Sequence, residues 1–87
     1  MSYAIHYRSG VARDLARLPN AVLRRIDKAT MSLAGNPRPP GCRKLAGTTG
    51  MWRLRLGDWR IVDEIDDARR LVEVQIVAHR REVYRRL

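Results

Sequence analysis

Met51-Trp-Arg-Leu-Arg-Leu-Gly-Asp-Trp-Arg-Ile-Val-Asp-Glu-Ile65 reads as a β-hairpin with one apolar face and one cationic face. Successive side chains of a strand point to opposite sides of a sheet. Trp52, Leu54 and Leu56 therefore share one face, and Arg53 and Arg55 share the other. Gly57-Asp58 turns the chain, since glycine at the first central position of a two-residue loop suits a II′ turn. That register sets Leu56 opposite Trp59, Arg55 opposite Arg60 and Leu54 opposite Ile61. Like charges directly opposite across a ladder are destabilising, and arginine stays protonated at any ordinary pH. Folding alone gives no reason for facing Arg55 with Arg60; an anion held between them does.

Upstream of the hairpin, Ser2-Tyr-Ala-Ile-His-Tyr7 reads as an opening strand with Tyr3, Ile5 and Tyr7 on one face. Ser9 is placed to cap a short helix whose Val11, Leu15 and Leu18 form one stripe, and Pro19 ends it. Asn20 is placed to cap a longer helix with Val22, Ile26, Ala29 and Leu33 at helical spacing, stopped by Gly35-Asn36-Pro37. So tight a junction leaves the two helices as an antiparallel hairpin. Their charges, Arg13, Arg17, Arg24, Arg25 and Lys28, read as a solvated face. Residues 36–44 hold three of the four prolines and read as a loop or extended connector. Downstream, 66–70 is a turn, and 71–78 alternates as a last strand with Val72, Val74, Ile76 and Ala78 on its apolar face. The chain then runs into the basic segment His79-Arg-Arg-Glu-Val-Tyr-Arg-Arg-Leu87. The order predicts an α+β domain over residues 1–87: an N-terminal strand, an antiparallel helical hairpin, then a three-strand antiparallel meander, with the helices on one face of the sheet. The other face carries Arg53, Arg55 and Arg60, with the basic segment arriving beside it.

Composition narrows the function. A chain of 87 residues buries only roughly 60 to 65% of its unfolded surface. Its 18 Lys plus Arg against 9 Asp plus Glu give a net charge of +9, which points to a polyanionic partner, nucleic acid first. The bases are mostly arginine, whose planar guanidinium grips phosphate with two parallel hydrogen bonds. No segment combines a long apolar face with a basic one, so a membrane surface is not the expected partner. A single cysteine, Cys42, and no leader or membrane-spanning run predict a cytoplasmic protein. One Cys and two distant His, His6 and His79, predict no metal site, and no phosphate-binding glycine loop or serine elbow predicts a cofactor.

Five segments, Ala12-Arg-Asp-Leu-Ala-Arg-Leu-Pro19, Asn36-Pro-Arg-Pro-Pro-Gly41, Lys44-Leu-Ala-Gly47, Trp52-Arg-Leu-Arg-Leu-Gly-Asp-Trp-Arg-Ile-Val62 and His79-Arg-Arg-Glu-Val-Tyr-Arg85, together resemble the RelE/ParE superfamily of toxins from bacterial toxin-antitoxin systems. The RelE branch is the closer. The resemblance implies a ribosome-dependent mRNA endonuclease (mRNA interferase) that inhibits translation by cutting in the A site. It also implies a separate, acidic antitoxin, and a toxin–antitoxin hetero-oligomer on operator DNA. By position it places the family's catalytic basic pair on Arg53 and Arg55, its hairpin arginine on Arg60, and its C-terminal arginine and tyrosine on Arg80 and Tyr84, with Lys44, His79 and Arg81 as further RNA contacts. The implied reaction is attack of a 2′-hydroxyl on the adjacent phosphate, without metal.

Two residues depart from the pattern. The familiar RelE sequence has lysines where this chain has Arg53 and Arg55, and arginine cannot act as a general base. The proton work then falls on Tyr84 or His79, and the family pattern favours Tyr84. Asp63 stands where an aromatic is usual, and is expected at the sheet edge or paired with an arginine. The rival readings are a ParE-like inhibitor of DNA gyrase, and a catalytically inactive RNA-binding homologue.

Overall fold

A computed structural model describes residues 2–87. Strand β1 (Ala4–Tyr7) leads through Gly10 into α1 (Val11–Ala16) and α2 (Asn20–Ser32). Strands β2 (Arg43–Lys44), β3 (Met51–Leu56), β4 (Trp59–Asp66) and β5 (Leu71–His79) follow, then a 3-10 turn at Val83–Arg85. The helical hairpin carries the chain across one face of the sheet to its far edge, and the meander walks back. The strand order is therefore β1-β5-β4-β3-β2, with β1 parallel to β5 and every other pair antiparallel.

Both expected helix caps are displaced by one residue. Gly10, at φ +96°, is the N-cap of α1 in place of Ser9, because the chain leaves β1 through a left-handed conformation that glycine adopts freely. Pro19 is the N-cap of α2, and its carbonyl accepts the first helical hydrogen bond from Leu23 at 2.9 Å, so Asn20 begins the helix instead of capping it. The apolar stripes are as expected. Val11 and Ile26 pack with Ile61, Val74 and Val77 beneath the helices, and Leu33 packs with Ile65 and Val72 beside them.

The last strand departs from strict alternation. Val62 pairs with Ile76 but Asp63 pairs with Val74, so Gln75 is an extra residue in β5. A bulge of this kind flips every later side chain to the other face. Val72 and Val74 lie under the helices, where Val77 joins them, while Ile76 and Ala78 move to the opposite face. There they meet Val62 and the fully buried Val83, with Leu45 and Met51 at the margin. The cationic face thus carries a second, small core, which anchors the C-terminal segment through Val83.

The proline connector is also more ordered than a loop. Arg43–Lys44 adds a two-residue strand to β3. Arg38 donates to both carboxylate oxygens of Asp67, at 3.1 and 2.9 Å, and lies 4.9 Å over the Trp52 ring. Tyr3 donates to the same carboxylate at 2.6 Å. These two donors hold the Asp67 carboxyl down to about 2, tying connector, N-terminal strand and β4–β5 turn to one anion. No helix among the described residues is long and apolar enough to cross a membrane.

Candidate functional site

The hairpin register is the expected one: Arg55 faces Arg60, Leu56 faces Trp59, Leu54 faces Ile61, and Trp52 faces Asp63. The turn is made by Gly57 at φ +61°. A second like-charge pair lies one row along, where Arg43 of β2 faces Arg53 of β3. Residues paired across a ladder point to the same side, so Arg43, Arg53, Arg55 and Arg60 share the face away from the helices. None of the four has a carboxylate within 4 Å among the described residues.

The C-terminal segment completes the cluster. The Arg80 amide donates to the Asp58 carbonyl at 2.8 Å and its side chain lies 3.6 Å from the Asp58 carboxylate. Seating Val83 against Val62 then brings Tyr84 over β3, where its hydroxyl accepts from the Arg53 guanidinium. The Nε of Arg53 is buried without a partner. Arg60 forms the floor at 7% exposure, donating to the Gly57 and Trp59 carbonyls at 2.8 and 2.9 Å. Burial first, then Arg55 and Arg53, push its guanidinium below the usual arginine value. Such a floor of crowded, unneutralised cations suits an anion bound above it.

Arg53, Arg55, Arg60, Arg80 and Tyr84 therefore converge, while of the three expected additional RNA contacts Lys44 and His79 lie on the other side of the sheet. His79 pairs with Trp59 on the helix side, the two rings edge to face with centroids 5.5 Å apart, and its Nδ1 accepts from the Arg81 amide at 3.2 Å. It lines a cleft of about 400 Å³ with Asp14, Leu18 and Glu82. Lys44 faces Trp52, also on the helix side, and Arg81 is exposed beyond the end of β5. The residue that sequence reasoning missed is Arg43. Only the strand register reveals that it, and not Lys44, lies beside Arg53; the legible signal was a basic dipeptide ending the connector.

Asp63 is neither at an edge nor paired with arginine. It lies in β4 at 3% exposure, beneath the helices, with Oδ1 lacking a hydrogen-bond partner. Arg38 gives its hydrogen bonds to Asp67 instead. Burial pushes the Asp63 carboxyl up to about 7 against the pull of Arg38.

Comparison with known proteins decides the family. A family described as the ParE toxin of the type II toxin-antitoxin system matches residues 5–84. The chain belongs to the RelE/ParE superfamily of type II toxins. It is 33% identical to toxin RelG of Mycobacterium tuberculosis, over 99% of this chain and all of that one. The fold is that of the toxin-antitoxin complex RelBE2 of the same organism, with TM-score 0.81 and 25% identity over 91% of this chain and 99% of that chain. It is also that of the archaeal RelE–RelB complex of Pyrococcus horikoshii OT3, with TM-score 0.82 and 27% identity over 92% and 97% of the two chains. The family match carries the ParE name and the relatives carry RelE-type names, so the superfamily is fixed and the branch is a matter of the site.

Proposed function

We propose that this RelE/ParE toxin is a metal-independent endoribonuclease that cuts mRNA in the ribosomal A site. The 2′-hydroxyl gives up its proton and attacks the adjacent phosphate, the P–O5′ bond breaks, and the leaving 5′-oxygen takes up a proton, giving a 2′,3′-cyclic phosphate and a 5′-hydroxyl. The observation that carries the reading is the convergence of Arg53, Arg55, Arg60 and Arg80 with the Tyr84 hydroxyl on one face, largely without carboxylate neutralisation. Arg55, Arg60 and Arg80 stabilise charge on the phosphorane, since fixed cations aimed at developing charge are often the largest catalytic term. Arg53 orients the Tyr84 hydroxyl, which performs the proton transfer that no arginine can. Arg43 extends the cationic row by one strand and holds a flanking phosphate. The partner that restrains the toxin is a separate antitoxin, as in the RelE–RelB complexes it resembles, and the +9 charge calls for an acidic one.

The ParE name of the matching family favours a second reading, inhibition of DNA gyrase by the same scaffold. One translation extract separates the two. Cleavage of mRNA within codons only when ribosomes are present supports the nuclease; inhibited gyrase supercoiling with intact RNA supports the other.

A further inference from the structure

Beside the cationic cluster, on the same face of the sheet, lies a cleft of about 520 Å³. Its floor and walls are Leu45, Met51 and Ile76, with Tyr84 on one side and Gln75 and Arg8 on the other. A mostly apolar concavity with a few fixed polar groups is the usual form of a small-molecule or base site. Three features say what occupies it. Tyr84 is shared: its hydroxyl meets Arg53, and the residue, 56% exposed, also lines the cleft. Arg53, Val62 and Ile76 are opposite one another on three consecutive strands, so the cleft floor lies two strand spacings, roughly 10 Å, from the Arg53 backbone. The charged side chains that line the cleft are Arg8 and Arg86, placed to hold the phosphate of the nucleotide whose base fills it.

The bulge supplies the reading group. Gln75 is the extra residue of β5, and bulges recur beside active sites because they re-aim a side chain. Its amide oxygen accepts from Arg8 at 3.3 Å and its amide nitrogen donates to Glu73 at 2.5 Å, which fixes the amide and leaves one further donor and one acceptor position. Such a pair matches the adenine edge, and unstacked bases held on single-stranded RNA are read by contacts of this kind.

We propose that this cleft binds the base of a nucleotide flanking the scissile phosphate, with Gln75 as the specificity-determining residue and adenine as its preferred base. The proposal rests on the nuclease reading given above. Its test is sequencing of mRNA ends produced on ribosomes by wild-type toxin, Gln75→Ala and Ala46→Trp. Ala46 is exposed on the cleft wall, so a tryptophan there fills the space without entering the core. We expect adenine enrichment at one position beside the wild-type cut. Gln75→Ala should reduce that enrichment at least 5-fold, and Ala46→Trp should slow cleavage at least 10-fold at an unchanged melting temperature. If Ala46→Trp fails to fold, the Gln75→Ala profile decides alone. An unchanged base profile in Gln75→Ala overturns the assignment while leaving the nuclease intact. Loss of antitoxin binding by Ala46→Trp with normal cleavage gives the cleft to the antitoxin and overturns it equally. Intact mRNA with wild-type toxin, in contrast, removes the nuclease reading itself.

Discussion

Tyr84 and His79 stand on opposite sides of the sheet, and under the proposed nuclease reading only Tyr84 is placed for the proton chemistry. Tyr84 has its hydroxyl against Arg53 on the cationic face, whereas His79 packs on Trp59 on the helix side. Tyr84→Phe should therefore slow single-turnover cleavage on the ribosome on the order of 100-fold or more, and His79→Gln should leave it within a few fold; the reverse ranking would move the chemistry to His79. Arg60 and Arg55 separate just as clearly, although the sequence presents them as an equivalent facing pair. Arg60 is buried and ties down two hairpin carbonyls, so Arg60→Ala should cost about 2 kcal/mol of stability as well as activity. Arg55 is exposed, and Arg55→Ala should lose activity with an unchanged or slightly raised melting temperature, because it relieves like-charge repulsion. Denaturant titration of both variants checks the contrast. Asp63 gives a pH dependence of defined sign. Its carboxyl titrates at about 7 in the fold against roughly 3.9 unfolded, so the fold favours the protonated form. That contribution is fully present below pH 4 and is lost as pH rises through about 7. Wild-type melting temperature should fall from about pH 4 to about pH 7, and Asp63→Asn should flatten the curve; parallel curves would show that the buried carboxyl is solvated.

At the scale of elements, the connector 36–44 is held by its link to Asp67 more than by its prolines. Asp67 has a folded value of about 2, below the unfolded one, so its contribution is present above pH 4 and disappears as pH falls through 2. Asp67→Asn should loosen the connector at neutral pH in the way that acid loosens it in the wild type. Hydrogen exchange at the β2–β3 amides, such as Leu45, should report this; unchanged protection in the variant would leave β2 pairing as the sole anchor. The β5 bulge is the other decisive element. By turning Ile76 and Ala78 away from the helices it creates the patch on which Val83 seats, and that seat places Tyr84.

For the whole molecule, the charges fall into two populations. Arg13, Arg17, Arg24, Arg25 and Lys28 are exposed on the helices, as expected of a solvated face. Arg43, Arg53, Arg55, Arg60 and Arg80 gather on the opposite side. If binding to RNA comes from the second set, affinity should fall with salt by about 0.7 in log–log slope for each single-strand phosphate contacted. Arg43→Ala should reduce the slope by about that amount, and Lys44→Ala should leave it unchanged. Equal effects of the two would mean that overall charge, and not the face, sets the binding.

The sequence by itself determined the α+β class, the helical stripes, the hairpin register and the facing of Arg55 with Arg60, because each follows from a local period or a two-residue turn. It also carried the superfamily, through five short segments in order. Only the tertiary structure decided the rest. The flip of Ile76 and Val77 depends on one extra residue measured against a partner strand, and alternation within β5 alone cannot show it. The choice of Arg43 over Lys44 depends on its pairing with Arg53, ten residues on, from inside a segment whose prolines conceal a strand. The burial of Arg60 and Asp63 depends on which neighbours close over them, and residue type alone predicts both at the surface.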